Sequence, residues 1–519
     1  MQKVKLYDTT LRDGSQAEGI SLTVKDKLAI AKKLDEFGID YIEGGWPGSN
    51  PKDMEFFLEA KKLNLKHSQL TAFGSTRRAH IPASKDDNLK AFVKSGCDVI
   101  TIFGKSWDLH VRDVLKVSLE ENLNMIRDSI AYLKKKVKTV FFDAEHFFDG
   151  YMHNPDYSIA ALLAAEEAGA DAIILCDTNG GMLTNNLARI VDEVKTKIKV
   201  PLGIHCHNDS EMAVANSVAA VIAGCLQVQG TVNGYGERCG NANLCSIIPT
   251  LKLKLGVNCV SDTKLKELTE MSRYVAEICN VKQQDNQPFV GNSAFAHKGG
   301  IHVNAVLKKS ISYEHIEPQA VGNKRRILVS ELSGKSTLLS KAKELELGLN
   351  KESDQTKVIM NLLQDMEHKG YHFEAAEGSF ELLLKRSMKA YKKFFELLGF
   401  TLVTEKDEEG KLRSEATVKI KVTGELVHTV SEGDGPINAL DNALRKGLVK
   451  FYPQLEKMHL SDFRVRVLDE KAGTAARVRV LIQSQDDKKS WWTIGVSENI
   501  IEASWQALVD SLEYKLVKG

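Results

Sequence analysis

An arginine and an aspartate stand side by side after the first apolar run of the chain, in the segment 8–14 (DTTLRDG). A buried pair of fixed charges is costly unless another group needs both of them. A divalent metal could take Asp13 as a ligand while Arg12 binds the oxyanion that forms on a carbonyl substrate. This segment alone leaves open a second interpretation, a solvated ion pair in a surface turn.

Two histidines separated by one residue, His205 and His207, are the second candidate for metal binding. Residues two apart on a strand point to the same face, so both imidazoles could bind one divalent ion. Together with the carboxylate of Asp13, this set of oxygen and nitrogen donors suits Mg²⁺, Mn²⁺ or Zn²⁺. A pair of hydrogen-bonded histidines without a metal is the alternative.

Three further segments carry residue types that could serve such a site. Glu145 follows an apolar run that could raise the pKa of its carboxyl and suit it to acid–base chemistry; an ion pair with a lysine or arginine is the alternative. The glycine-rich segment 234–242 (GYGERCGNA) permits a tight turn that brings Asn241 to a metal, unless Asn241 only caps the next helix. His302, in the segment 296–302 (AHKGGIH), would suit general acid–base catalysis near neutral pH, or is an ordinary surface or core histidine.

These residues need a scaffold that brings distant segments together, and residues 1–255 alternate short apolar runs with amphipathic helical stretches. Eight units of strand and helix in about 250 residues are typical of a (β/α)8 barrel. An open, doubly wound sheet has less support because no G-x-G-x-x-G motif follows the first run. The eight predicted strands are Val4–Asp8, Ile39–Gly45, Gln69–Gly74, Val99–Gly104, Thr139–Glu145, Ala172–Asp177, Pro201–His207 and Leu226–Asn233.

The barrel interpretation also predicts where the chemistry takes place. Active sites of this fold lie at the carboxyl ends of the strands. The polar residues fall at those ends: Arg12 and Asp13 after the first strand, Glu43 near the end of the second, Glu145 at the end of the fifth, and His205 and His207 in the seventh. A random scatter of polar residues would not select the same end of most strands.

The remainder of the chain predicts two further parts. The pattern is mostly helical from 259 to 388, with a helix expected around Glu381–Gly399. The pattern of residues 389–519 predicts a separate α+β domain. Its predicted strands are Glu415–Val422, Phe463–Val467, Ala476–Ser484 and Trp491–Val496, and its predicted helices are Pro436–Leu448 and Ser497–Leu516. We therefore expect a TIM-barrel catalytic domain over 1–258, a helical linker over 259–388 and an α+β domain over 389–519.

The composition narrows the class of protein. Lysine plus arginine (70) nearly balance aspartate plus glutamate (69), so no net field favours nucleic acid or an anionic membrane as a partner. The eight cysteines lack C-x-x-C spacing, which indicates reduced, cytosolic thiols rather than a disulfide framework. Since no signal segment and no run of ~18 apolar residues is evident, we expect a cytoplasmic protein.

Four motifs now carry a resemblance, in this order: D-T-T-L-R-D-G-S-Q, H-C-H-N-D, N-G-Y-G-E-R-C-G-N-A and H-K-G-G-I-H. Over essentially its whole length the chain resembles the 2-isopropylmalate, homocitrate and citramalate synthases. That family implies an acyltransferase that condenses acetyl-CoA with a 2-keto acid and hydrolyses the thioester. The segments 71–78 (TAFGSTRR), 101–111 (TIFGKSWDLHV) and 495–505 (GVSENIIEASW) favour pyruvate as the keto acid and a product for isoleucine biosynthesis. 2-Oxoisovalerate or 2-oxoglutarate as the acceptor stays open.

The resemblance also implies roles for single residues around the metal. Asp13, His205 and His207 correspond to the metal ligands of the family. Asn241 corresponds to a residue at or near the metal. Arg12 corresponds to the arginine that binds the keto-acid oxygen. Mg²⁺ or Mn²⁺ is therefore expected as cofactor, with Zn²⁺ as the alternative, and acetyl-CoA as co-substrate.

Four further residues correspond to positions that act on the substrates. Glu145 and Thr178 match positions that contact the keto acid. His302 and Tyr313 match residues of the helical part that reach the site of a partner subunit. We take His302, coupled to Glu145, as the base that removes a proton from acetyl-CoA, and Tyr313 as a further catalytic residue.

The C-terminal part resembles the regulatory domain of the family, in which the end-product amino acid binds at a dimer contact. The glycine loops 433–440 (GDGPINAL) and 473–476 (GTAA) carry this likeness. We expect a homodimer with isoleucine as feedback inhibitor. A lyase that runs the reverse reaction is disfavoured by this extra domain, and a non-catalytic amino-acid sensor by the complete set of candidate site residues.

Overall fold

A closed barrel of eight parallel strands organises the first part of the chain. It is seen in a computed structural model, which describes residues 3–328, 338–339, 342–343, 354–388, 391–406, 408–468, 476–487 and 489–519. The first strand pairs in parallel with the eighth, from Lys5 opposite Gln227 to Asp8 opposite Gly230, and this pairing closes the barrel. The barrel strands are β1 (Lys5–Asp8), β2 (Tyr41–Gly45), β3 (Gln69–Ser75), β4 (Val99–Lys105), β5 (Thr139–Glu145), β6 (Ala172–Asp177), β7 (Leu202–Cys206) and β8 (Gln227–Gly230). The prediction of a TIM barrel is confirmed.

The helices around the barrel begin and end where the sequence supplies caps. Thr23 starts the first helix, because its hydroxyl accepts a hydrogen bond from the backbone N–H of Asp26 at 3.2 Å and its own N–H donates to the Asp26 carboxylate at 2.8 Å. Gly38 ends that helix in the left-handed conformation, with φ of 99°. The helices of this part are α1 (Val24–Phe37), α2 (Pro51–Ala60), α3 (Asp87–Ser95), α4 (Leu119–Lys134), α5 (Phe147–His153), α6 (Pro155–Glu167), α7 (Thr184–Lys195), α8 (Ala213–Ala223), α9 (Leu244–Pro249), α10 (Asp262–Leu265) and α11 (Leu268–Ile278).

The interior of the barrel changes from apolar to polar along its axis. A small cluster fills the apolar part: Tyr7, Val99, Phe141, Ala172, Ile174 and Cys176. Successive inward residues of β5 show the change, since Phe141, Asp143 and Glu145 alternate onto one face. Polar side chains therefore collect at the carboxyl ends of the strands, where the sequence predicts the site.

The chain divides into two compact units. The first comprises Met1–Phe295 and His315–Arg325, and the second Ala296–Glu314 and Arg326–Gly519. The apolar core of the first unit continues beyond the barrel into α11, where Leu268 is fully buried. The predicted three-part division at residues 258 and 388 stays a prediction.

The second unit contains two three-stranded antiparallel sheets and a short parallel strand pair. Its strands are β9 (Ala296–His297), β10 (Arg326–Ile327), β11 (Phe395–Lys406), β12 (Leu412–Val422), β13 (Glu425–Gly433), β14 (His459–Val467), β15 (Val478–Gln485) and β16 (Ser490–Ser497). Its helices with described bounds are α12 (Gly300–Lys308), α13 (Asp354–His368), α14 (Glu377–Ser387), α15 (Pro436–Leu448) and α16 (Ile500–Lys518). Helix α15 packs on β12 and β13, and α16 packs on β15 and β16, which confirms the α+β prediction.

The helix predicted over 381–399 is wrong at its end, because α14 stops at Ser387 and Phe395 already begins β11. Of the two glycine loops, 433–440 forms the connection from β13 to α15, whereas residues 473–475 of the other lie outside the described residues. Within the described part of the chain, no helix has both the length and the apolar character that a membrane span requires.

Candidate active site

Asp13, His205 and His207 meet at the carboxyl end of the barrel. Oδ2 of Asp13 lies 3.4 Å from Nε2 of His205 and 3.9 Å from Nε2 of His207. All three residues are buried, and one potential ligand atom from each lies within 4.8 Å of the other two. Asp13 follows β1 and His205 belongs to β7, and these strands lie on either side of β8. The barrel thus brings together residues that are almost 200 positions apart in the sequence.

The protonation states of this cluster suit a divalent cation. Burial lowers the pKa of His205 to about 3, helped by the neighbouring His207. Burial also lowers the pKa of His207, so both imidazoles are neutral, which is the form that binds metals. For Asp13, burial alone would raise the pKa, but Arg12 and the two histidines outweigh it and the pKa falls below its ordinary value. A charged carboxylate therefore faces two neutral imidazoles.

Asn241 adds an amide oxygen to the same place. Its backbone forms an isolated bridge with His207, and its side chain is 2% exposed. The buried Oδ1 of Asn241 has no hydrogen-bond partner among the described residues, and such an atom is costly unless a cation or another donor satisfies it. The close turn depends on Gly240, whose φ is +89° and where a Cβ atom would lie 2.1 Å from the carbonyl oxygen of Gly234. These residues fit a divalent metal.

Arg12 is fixed between a buried carboxylate and an aromatic ring. Its Nε donates to Oε1 of Glu43 at 2.5 Å, and its Cζ lies 3.8 Å from the centre of the Phe73 ring. Its Nη1 is 3.4 Å from Oδ2 of Asp13. Burial would lower the pKa of Arg12, but Asp13 and Glu43 outweigh it and raise that pKa, so the guanidinium stays charged. Only 15% of the Arg12 side chain and 4% of Asp13 are exposed, so the alternative of a solvated surface pair is wrong.

A second layer of buried polar residues supports the cluster. The hydroxyl of Tyr7 donates to Oε2 of Glu43 at 2.5 Å. Nε2 of Gln229 donates to Oδ1 of Asp143 at 3.1 Å, so the amide oxygen of Gln229 faces Nδ1 of His205 at 3.0 Å. Burial, together with the charge of Glu43, raises the pKa of Asp143 well above its usual range. These contacts fix the orientations of the side chains of Arg12 and His205.

The predicted substrate contacts, Glu145 at the end of β5 and Thr178 just after β6, each have a partner of their own. Glu145 accepts a hydrogen bond from Nζ of Lys105, so the carboxylate has the ion pair that the sequence left as the alternative. Oγ1 of Thr178 accepts a hydrogen bond from the backbone N–H of His146 at 2.9 Å. The roles of Glu145 and Thr178 in binding a keto acid stay predictions.

An aromatic wall stands beside Arg12. The rings of Phe73 and Phe103 stack with their centres 5.4 Å apart, and Trp46 meets both edge-on at 6.2 and 5.6 Å. The indole N–H of Trp46 donates to Asn88 at 2.6 Å, which fixes its ring. The wall limits the space next to the guanidinium.

His302 and Tyr313 belong to the second unit, on α12 and shortly after it. Their rings stack with centres 4.2 Å apart and an interplanar angle of 29°. Tyr313 is 46% exposed. Within this unit the structure brings the two predicted residues together, and their catalytic roles stay predictions.

Comparison with known proteins agrees with this geometry. A family model described as HMGL-like matches residues 3–275, one described as Homocitrate synthase post-HMGL domain-like matches 289–370, and one described as LeuA allosteric (dimerisation) domain matches 374–516. The (R)-citramalate synthase of Geobacter sulfurreducens is 57% identical over 100% of this chain and 98% of its own length. That of Aquifex aeolicus is 55% identical, also over 100% of this chain and 98% of its own.

The chain belongs to the (R)-citramalate synthase family. A 2-isopropylmalate synthase of Methanocaldococcus jannaschii is more distant, at 34% identity over 99% of this chain and 95% of its own length. The predicted family and the acyltransferase class are confirmed. The C-terminal unit carries the dimerisation domain that the resemblance implied.

Asp143 and Gln229 were missing from the sequence prediction, which noted Glu43 only as a polar residue at the end of a predicted strand. Glu43, Asp143 and Gln229 are polar residues inside strand-forming runs, and each points into the barrel at the level of the cluster. A polar residue within an otherwise apolar strand is the signal that could have found them. Arg238, in the glycine-rich segment, was noted only as part of its motif.

Proposed function

We propose that this member of the (R)-citramalate synthase family condenses acetyl-CoA with pyruvate and hydrolyses the thioester, giving (R)-citramalate and CoA. The observation that carries the proposal is the whole-length similarity to the two (R)-citramalate synthases described above. The site adds physical support, because a buried arginine next to a carboxylate and two neutral imidazoles suits an anionic 2-keto acid. We place the reaction in isoleucine biosynthesis on the same grounds.

The metal site would be formed by Asp13, His205, His207 and Asn241. When bound, a divalent cation supplies Lewis-acid polarisation of a keto-acid carbonyl. The donor set suits Mg²⁺ or Mn²⁺, with Zn²⁺ as the alternative because two of the ligands are imidazoles. The orphaned amide oxygen of Asn241 is the observation that favours a cation over a simple histidine pair.

Arg12 would stabilise the negative charge that develops on the keto oxygen as the new carbon–carbon bond forms. Its Nε is occupied by Glu43, and the ring of Phe73 covers one face of the guanidinium. The remaining N–H donors are therefore held in a fixed direction before substrate binds. Such preorganisation avoids the cost of reorienting dipoles during the reaction.

The proton chemistry is assigned to the second unit. His302 would take the proton from the methyl group of acetyl-CoA, and Tyr313, whose ring stacks on it, would hold the imidazole in place. Glu145 and Thr178 would contact the keto acid. Water then attacks the thioester carbonyl, so that a C–O bond forms, the C–S bond breaks and free CoA leaves.

The aromatic wall favours a small acceptor. Pyruvate carries only a methyl group beyond its carbonyl, whereas 2-oxoisovalerate and 2-oxoglutarate would need room where Phe73 and Phe103 stack. A single methylene changes the free energy that separates two such acceptors by only ~1–3 kcal/mol, so the preference must be measured with a panel of keto acids. Release of free CoA should be highest with pyruvate among pyruvate, 2-oxobutyrate, 2-oxoisovalerate and 2-oxoglutarate. A higher kcat/KM for 2-oxoisovalerate would contradict the assignment.

Along β14, the apolar residues Phe463, Val465 and Val467 alternate onto one exposed face, which supports burial against a second subunit in a homodimer. We infer isoleucine as the feedback inhibitor of this allosteric domain and a cytoplasmic location, since all eight cysteines are free thiols. Isoleucine that changes neither the rate nor the pyruvate KM would contradict the first inference. A single-chain mass by light scattering would contradict the homodimer.

A further inference from the structure

One arginine joins three of the loops that form the active-site end of the barrel. Arg238, in the loop after β8, donates from Nε to Oδ1 of Asp209 at 2.7 Å and from Nη2 to Oδ2 at 2.9 Å. The same Nη2 donates to the backbone carbonyl of Thr178 at 2.9 Å. Asp209 lies in the loop after β7 and Thr178 in the loop after β6. Each of these loops carries a predicted site residue: Thr178 itself, His207 and Asn241.

The backbone conformation of the three loops allows this contact. Arg238 itself has φ of +57°, in the left-handed region that few residues other than glycine adopt. A Cβ atom at Gly180 would lie 2.5 Å from Oδ2 of Asp209, so the loop after β6 can approach the carboxylate only because residue 180 is glycine. The backbone N–H of Asn208 donates to the carbonyl of Gly240 at 2.9 Å. These loops approach closely enough for one guanidinium to set their spacing.

Stability alone is a weak explanation for the arrangement. The Arg238 and Asp209 side chains are 42% and 24% exposed, and exposed ion pairs contribute little to folding. The forked, two-bond geometry instead fixes direction, which a lysine could not reproduce. We propose that Arg238 is a positioning residue. Its hydrogen bonds to Asp209 and Thr178, here called the clasp, set the distance from Thr178, the predicted keto-acid contact, to the metal ligands His207 and Asn241. This inference rests on the function proposed above.

Arg238→Ala, Arg238→Lys and Asp209→Asn test the clasp in the full-length protein. Mn²⁺ is titrated calorimetrically into metal-free protein without substrates, and kcat and both KM values are measured in the presence of metal. Outer-shell contacts of this kind change metal affinity by about 10–100-fold. We expect Arg238→Ala to weaken Mn²⁺ binding and raise the pyruvate KM by about tenfold or more, with the acetyl-CoA KM little changed. Arg238→Lys should recover only part of the loss, and Asp209→Asn should resemble Arg238→Ala.

Arg189→Ala is the matched control, because Arg189 forms an exposed ion pair with Glu193 on α7 at 2.5 Å. It should leave Mn²⁺ affinity and both KM values at the wild-type level. The inference is overturned if Arg238→Ala matches Arg189→Ala in Mn²⁺ affinity and pyruvate KM, or if it lowers only the unfolding temperature. Should Arg238→Ala not fold, Arg238→Lys and Asp209→Asn decide in the same way. Wild-type protein that binds Mn²⁺ but ignores pyruvate would refute the proposed function separately, since the metal titration still tests the clasp.

Discussion

Nδ1 of His205 lies 3.0 Å from Oε1 of Gln229, and this contact decides which nitrogen of the histidine keeps a lone pair facing Asp13. The amide nitrogen of Gln229 donates to Asp143, so the amide oxygen of Gln229 accepts a hydrogen bond from Nδ1–H of His205. Nε2 is thereby left with its lone pair, on the side of Asp13. Sequence spacing supplied the two histidines, but the tautomer follows from a residue on the next strand.

Replacing Gln229 should therefore weaken metal binding without removing a ligand. Gln229→Leu leaves His205 free to rotate and to adopt the other tautomer, and we expect Mn²⁺ affinity to fall about 10–100-fold. Gln227→Leu is the control, since Gln227 is also buried and occupies the same face of β8 two residues earlier. Calorimetric titration of the metal-free proteins measures the effect. Equal affinities in the two variants would contradict the orienting role.

Asp13→Asn should abolish turnover while the barrel stays folded. The substitution keeps the shape of the side chain but removes the one charged ligand of the cluster, so the divalent ion is lost. The readouts are CoA release, far-ultraviolet circular dichroism and the unfolding temperature with and without Mn²⁺. In the wild type, Mn²⁺ should raise the unfolding temperature because it binds only the folded state. Asp98→Asn, which removes only an exposed ion pair with Lys138, should behave as the wild type. Full activity in Asp13→Asn would refute the metal site.

The fold was predictable to different degrees in the two units. In the barrel, a regular alternation of apolar runs and amphipathic stretches predicts the eight units. The predicted ends of the strands differ from the observed ends by a few residues, because a strand stops pairing with its neighbours where the chain begins to turn. At Leu226–Asn233, for example, the strand stops at Gly230 and a 3₁₀ turn begins at Val232. In the C-terminal unit, the segment 395–402 (FELLGFTL) places apolar residues at both helical and strand spacing. Pairing with β12 makes it a strand, a long-range outcome that spacing cannot show.

The site was predictable where spacing along one strand or adjacency in the chain carries the information. His205 and His207 share a face because they are two residues apart, and Asp13 follows the first strand. Asp143 and Gln229 are 86 residues apart, and their hydrogen bond exists only because the closed barrel brings β5 and β8 to face each other across its interior. The ion pair of Glu145 with Lys105 depends in the same way on the register of β4 and β5.

The aromatic wall predicts how acceptor specificity can be changed. Phe103→Ala removes the ring that stacks on Phe73 and opens room beside Arg12, while the contact between Arg12 and Phe73 is kept. We expect kcat/KM for 2-oxoisovalerate, relative to pyruvate, to rise about tenfold or more, in line with ~1–3 kcal/mol per methylene. The keto-acid panel, run on wild type and variant side by side, measures the ratio. An unchanged ratio would show that Phe103 does not face the acceptor.

The buried carboxyl of Asp8, at the end of β1, should make stability depend on pH. Burial raises the pKa of Asp8 to about 7, against the opposing hydrogen bonds from Thr10, whereas an unfolded aspartate titrates near 3.9. Between these values the folded state binds the proton more tightly, so stability falls as the pH rises from about 4 to about 7. The full effect is on the order of 4 kcal/mol.

Asp8→Asn removes this dependence, because the amide reproduces the hydrogen bonding of a neutral carboxyl with Thr10. The stability of the variant relative to wild type should therefore increase from pH 4.5 to about pH 7 and level off by pH 8, measured as the difference in urea midpoint for loss of the barrel signal. Asp40→Asn, at a carboxylate that pairs with Lys3 and Lys5, should not share that trend. A constant difference between Asp8→Asn and wild type across this range would show that the carboxyl of Asp8 titrates normally in the folded protein.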